Sequence, residues 1–219
     1  MDGGDSASRN GMLATFDTRF TWMTSAFEPY FNGLCVRHPC QSPWSNPNNF
    51  TRDQLIPLVS GMHRNNEHSA TKRIFWAHAK RFFLCQNIER DYKGISRKYP
   101  FPHRYREFDK NEIKFSFFDY RDPLMPDDIW HLARCAGFRW HWIVGIIGAP
   151  WLALTIFLTR RGEINSLLCK AKVAGPFFIR LVKKYIPHWE DLNRHYWSGW
   201  RDQAEIAEII IKGFSQDSL

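Results

Sequence analysis

Apolar residues recur along this chain at steps of three and four, seldom at steps of two, and that spacing predicts helices. Met12, Phe16, Phe20 and Met23 mark one face of a first helix, opened by Asp5 or Ser6 as N-cap and ended by Pro29 and Gly33. Leu55, Leu58, Val59 and Met62 mark a second, capped by Thr51, in which Pro57 is expected to force a kink or short turns. A third helix is expected over about 69–89, with Ile74, Phe75, His78, Phe82 and Cys85 at helical spacing. Pro126, Asp127 and Asp128 suit the first turn of a fourth, where carboxylates meet the positive end of the dipole, and Ile129, Trp130, Leu132 and Ala133 follow toward Gly137. More helices are expected at 176–186 and 202–213, while IKFSFFDY (113–120) is the one candidate for a short strand. The fold class expected is therefore mainly α: a multi-helix array in a single domain, 1–219, with long polar loops and little or no strand.

One stretch does not alternate. WHWIVGIIGAPWLALTIFLT (140–159) carries no formal charge between Arg139 and Arg160. At about 1.5 Å per residue it is long enough to cross a bilayer. It reads either as the central buried helix of the domain or as a membrane segment, with Trp140 and Trp142 where an interfacial belt would lie. His141, Gly145, Gly148 and Pro150 weigh against a plain span. The neighbouring basic stretch, with Phe177, Phe178, Ile179, Arg180, Lys183 and Lys184, has the character of a membrane-surface helix. One function class is thus a non-enzymatic protein associated with an anionic membrane surface through 140–159.

Charge sharpens this only in part. Of the formal +8, residues 71–106 supply the excess: ten Lys or Arg against Glu89 and Asp91. Basic and aromatic residues interleave there, which formally suits single-stranded nucleic acid. No recognised nucleic-acid motif accompanies them, and the aromatics of 72–85 are expected to face the core, so nucleic acid is an unfavoured partner. Five cysteines without a secretory leader predict free thiols in a reducing, cytoplasmic setting.

Candidate chemistry lies near the start. Asp2 and Asp5 flank Gly3-Gly4 just ahead of a helix N-terminus, an arrangement that can fix an acidic side chain, although plain helix capping explains it as well. The long Pro-rich loop 28–49 and the second helix start bring Arg37, His38, Arg52 and Asp53 into candidate substrate-binding positions, with an Arg52–Asp53 ion pair as the bland alternative. Cys35, His38 and Cys40 have the ligand types of zinc, but their spacing matches no common structural site, and no metal or cofactor is expected. Glu67 and His68 fit an ordinary helix start better than an acid–base pair.

GDSASRNGML (4–13) resembles the helix start of some α/α-toroid (six-hairpin) glycosidases, in which an acidic residue, small residues and Gly-Met open an inner helix. TRDQ (51–54) resembles another helix start in such toroids. The resemblance implies a reduced toroid acting on glycans, with Asp5 as the acidic group and Asp2 as its partner. Arg37, His38, Arg52 and Asp53 would position the sugar. Glycoside hydrolysis generally needs two carboxylates at a defined separation, so the placement of the aspartates decides this expectation.

Overall fold

A computed structural model describes residues 6–29, 31–37, 50–86, 123–158, 164–198 and 203–216. The helices are α1 (Ser6–Phe16), α2 (Arg52–Arg64), α3 (His68–Ala79), α4 (Pro126–Cys135), α5 (His141–Leu158), α6 (Ile164–Ala174), α7 (Pro176–Tyr185), α8 (Trp189–Trp197) and α9 (Gln203–Ser215). Two 3-10 turns, Thr18–Met23 and Ser25–Phe27, follow α1. The only β pairing among the described residues is one bridge between Leu84 and Pro123. The fold is mainly α, as the periodicity predicts; the stretch 113–120 lies outside the described residues.

α1 and α2 form the central pair. They run parallel: the Ser8 N–H donates to Gln54 Oε1 at 3.1 Å, and further along Gly61 lies against Gly11 and Ala14. A Cβ on Gly11 would lie 2.3 Å from the Pro57 carbonyl carbon, so only glycine permits this approach. Pro57 does not break the second helix, which is continuous from Arg52 to Arg64. The pair lies between two apolar clusters. One holds Leu55, Leu58, Val59, Met62, Ile74, Phe75, Leu132 and Ala133. The other holds Met12, Ile56, Leu152, Leu168, Ile179, Trp197, Ile210 and Phe214. Enclosed in this way, α1 is buried all round rather than on one apolar face. It stops at Phe16, short of the expected Met23.

Three helices end in the same hydrogen-bonded turn. After α2, α3 and α4, an N–H three or four residues past the helix donates back five positions (Glu67 to Met62, Phe83 to His78, Phe138 to Ala133). The residue before it in each case is left-handed: Asn66, Phe82 and Gly137, with φ of 61°, 56° and 67°. This is the Schellman ending, for which glycine or asparagine is normal and phenylalanine is not. The third helix accordingly ends at Ala79 instead of about residue 89, and the turn swings Phe82 out to 90% exposure. Phe75 faces the core as expected, but Trp76 is also exposed.

Helices α6 and α8 have no counterpart in the sequence reading. In α6 the apolar spacing is interrupted by Asn165, Lys170 and Lys172, and two of these, Asn165 and Lys170, are buried with polar partners.

Candidate functional site

Two regions have unusual physical character: a buried polar pole and an exposed apolar face.

The pole lies where α1, α2 and α4 begin. The first amides of a helix lack partners within it and must find others when buried. At α1 the Ala7 N–H donates to the Arg37 carbonyl at 2.9 Å and the Ser8 N–H to Gln54. Thr51 occupies the N-cap position of α2, but its hydroxyl turns to the Asp53 carboxylate. Arg52 reaches across to Asp128 Oδ2 at 3.7 Å, so the ion pair joins two helices rather than neighbouring residues. Asp128 also accepts from the Met125 N–H at 2.9 Å. Lys170 of α6 completes the cluster, its Nζ 2.5 Å from Asp127 Oδ2 and 2.9 Å from Asp128 Oδ1.

Both aspartates are fully buried and Lys170 nearly so. Burial pushes the Asp127 carboxyl above the usual carboxylate range, against the pull of Lys170 and with Asp128 adding to the rise. Burial alone would depress Lys170, but the carboxylates of Asp128 and Asp127 outweigh it and hold the ammonium above its ordinary value. Two carboxylates with unequal environments are the usual material of an acid–base pair. Here they are sealed beneath packed side chains, and the seam lined by Asp127, Trp130, His131, Arg134, Leu152, Lys170 and Ala174 is too tight to admit a substrate. The cluster fixes the register of α2, α4 and α6.

Ser60 and His131 look like a nucleophile with its base, 2.8 Å apart. The Ser60 hydroxyl, however, donates its proton to the Ile56 carbonyl at 2.7 Å, so the ring nitrogen facing it must be the donor. Burial holds His131 well below its ordinary value, and the pair is a neutral core contact. Glu67 sits at the start of α3, accepting from Thr24 and Asn65, in keeping with a helix-start role.

Of the residues that sequence reasoning singled out, Arg37, Arg52 and Asp53 come to this pole. Asp2, Asp5, His38 and Cys40 lie outside the described residues. Cys35 is buried, its N–H donating to Gln86 Oε1 at 2.9 Å, and the described cysteines are all buried. Burial pushes the Cys169 thiol up to about 12, an inert group whose Sγ lies 3.1 Å from Met12 Sδ. Among the described residues no three His, Cys, Asp or Glu gather as a metal site. Sequence reasoning missed Asp127, Asp128 and Lys170 as a cluster. Its only signal was the Pro-Asp-Asp helix start, which dipole capping already explains.

The second region is α5. Of the two expectations for 140–159, the central buried helix fails: only Gly148, Leu152 and Ile156 of eighteen residues are buried. These lie on one stripe, which packs on α4. Trp130 wedges beneath it; a Cβ on Gly148 would lie 2.4 Å from the Trp130 Cβ, and one on Gly145 2.8 Å from Trp130 Nε1. The glycines that seemed to count against a membrane helix are the seat for this indole. On the opposite side Trp142, Ile143, Ile146, Ile147, Pro150, Trp151, Leu154, Phe157 and Leu158 are exposed, with no polar residue among them. Its mean hydropathy is 1.8, and by length and composition it is the one helix among the described residues able to cross a membrane. At its N-terminal end Trp140 stacks on Phe138 (4.7 Å, 17°), beside Phe75. At its C-terminal end Phe157 meets Tyr185 of α7 at 4.3 Å.

Comparison with family models, with curated proteins and with solved structures found no match to this chain.

Proposed function

We infer that this protein works at a membrane, docked through the outer face of α5. One observation carries the reading: an eighteen-residue helix whose exposed side is apolar throughout. A surface helix of a water-soluble domain places charged and polar residues there. Contiguous exposed apolar surface of this kind marks an interaction site. The test is fractionation of the full-length protein without detergent. It should sediment with membranes, and replacing Ile146 and Ile147 by glutamine should release it. Recovery of the unaltered protein in the soluble fraction would defeat the reading.

A glycan-directed activity remains a second reading, favoured by the gathering of Arg37, Arg52 and Asp53 where α1 and α2 begin. It rests on the acidic pair Asp2 and Asp5 that the toroid resemblance points to. Replacing both by asparagine should abolish hydrolysis or retention of an oligosaccharide; unchanged binding and turnover would remove it.

A further inference from the structure

The membrane-docking reading leaves open how α5 meets the bilayer and which lipids it meets. Resting on that reading, we propose that α5 lies flat in one leaflet, and that Arg180 and Lys184 of the adjacent α7 make docking selective for anionic lipid headgroups.

The first ground is the company α5 keeps. Trp130 touches Gly145 and Gly148 near the middle of α5 and Phe178 at the start of α7, with ring centroids 5.8 Å apart. Phe157 and Tyr185 then join the two C-terminal ends. The helices therefore run side by side in the same sense. The outward stripe of α7 is Phe177, Arg180, Lys184 and Tyr185, at steps of one, three and four, and all four are exposed. Neither cation has a carboxylate partner among the described residues; Lys184 Nζ lies over the Tyr185 ring, 5.1 Å from its centroid. The apolar face thus continues from α5 through Phe157 and Tyr185 to a border of two available positive charges.

That border decides the pose. A crossing α5 would drag α7 into hydrocarbon with Arg180 and Lys184 exposed to lipid tails, an expensive placement for a charge. A flat α5 sets the same cations at the depth of the headgroups, where basic residues are attracted to anionic lipid. The tryptophans agree with the flat pose. Trp151 is exposed in the middle of α5, the part that a crossing helix would leave at the bilayer centre. Indoles prefer the interface, and a flat helix keeps every turn near it.

The full chain would be mixed with vesicles of phosphatidylcholine alone and of phosphatidylcholine with phosphatidylglycerol, and bound protein separated by flotation. Each basic residue near an anionic surface strengthens binding about fivefold, so the mixed vesicles should bind about 25-fold more tightly. R180Q/K184Q should lose that preference and keep its binding to phosphatidylcholine, with helicity by circular dichroism unchanged. I146Q/I147Q should lose binding to both. Protease added outside the vesicles should cut the chain on both sides of α5. Equal binding of the unaltered protein to both vesicles, or a preference that survives R180Q/K184Q, would overturn lipid selectivity alone. A protected flank of α5 would overturn the flat pose. Failure of the unaltered protein to bind either vesicle would remove the docking reading, and this proposal with it.

Discussion

Helices α1 and α5 invert the usual relation between composition and burial. SASRNGMLATF of α1 opens with five residues of which four are polar, yet ten of its eleven residues are buried. HWIVGIIGAPWLALTIFL of α5 is the most apolar stretch of the chain, yet three of eighteen are buried. The difference lies in what each helix can satisfy. In α1 the polar groups are answered from within: Asn10 Nδ2 donates to the Ser6 carbonyl at 2.7 Å, Thr15 Oγ1 to the Gly11 carbonyl at 2.7 Å, and the leading amides find Arg37 and Gln54. A buried polar group with a partner costs little; without one it is expensive. In α5 polar side chains are few, Thr155 Oγ1 donating to the Leu152 carbonyl at 2.8 Å, and the domain buries only the stripe of Gly148, Leu152 and Ile156 that packs over Trp130.

If the interior depends on answered polar groups, the largest effect should come from removing one. Lys170→Met would leave Asp127 and Asp128 buried with only Arg52 at 3.7 Å for counter-charge. Breaking a buried ion pair from one side costs about 3–5 kcal/mol. The midpoint of urea unfolding should fall accordingly, and a fall under about 1 kcal/mol would mean that the cluster does not hold α2, α4 and α6 together. Next comes the close approach itself. Gly11→Ala places a methyl against the backbone of Pro57 and Leu58, where no flexible side chain can move aside. Overpacking costs about 1–3 kcal/mol, and this contact belongs at the upper end. Gly145→Ala is the control in α5: its nearest neighbour is the edge of the Trp130 ring, which can shift, so it should cost less.

Acid should act on the same interior. Burial pushes His78 down to about 4, and its Nδ1–H donates to the Ile74 carbonyl at 2.8 Å, so the folded protein holds the ring neutral. In the unfolded chain the imidazole takes up its proton near 6.5. Stability is therefore full above pH 6.5 and lost as pH falls toward 4, at about 1.4 kcal/mol per pH unit for this group. His131, buried and likewise depressed, adds to the slope. His78→Leu should flatten the pH dependence of the urea midpoint between 6.5 and 4, and an unchanged slope would show that the ring does not titrate on unfolding.

How much of this was legible depends on whether an element follows its own periodicity. α2 and α4 did: Leu55, Leu58, Val59 and Met62 are all buried at the spacing that predicted them, as are Trp130, Leu132 and Ala133. The reach of α1 and α3 was not legible, because α1 gives way to a 3-10 turn at Thr18 and α3 ends on a left-handed Phe82, a position that ordinary cap chemistry would assign to glycine. The polar pole was half legible. Arg37, Arg52 and Asp53 drew notice from their loop and helix-start positions; Arg37 meets α1 through its carbonyl, and Arg52 and Asp53 stand in the first turn of α2. The pairing of Arg52 with Asp128, and of both aspartates with Lys170, joins residues far apart in the chain, and no local spacing announces it. For 140–159, composition alone left a central buried helix open, and the packing of Trp130 under one stripe leaves most of that helix unburied instead.

The smallest effect on stability should come from the outer side of α5. Ile146 and Ile147 are each 65% exposed, so glutamine there removes little apolar surface from the interior and leaves no polar group unanswered. Exposed substitutions away from caps and packed contacts usually stay within about 0.5 kcal/mol. Glutamine also keeps good helix propensity where isoleucine is only moderate, so the urea midpoint should hold or rise slightly. Membrane binding, by contrast, should fall steeply, since each buried isoleucine contributes about 1.5–3 kcal/mol of apolar transfer. A helix that tolerates this change in water while losing its hold on vesicles is conserving apolar side chains for a surface outside the fold. Should the midpoint drop as far as it does for Gly11→Ala, the outer face of α5 belongs to the interior after all, and its contrast with α1 collapses.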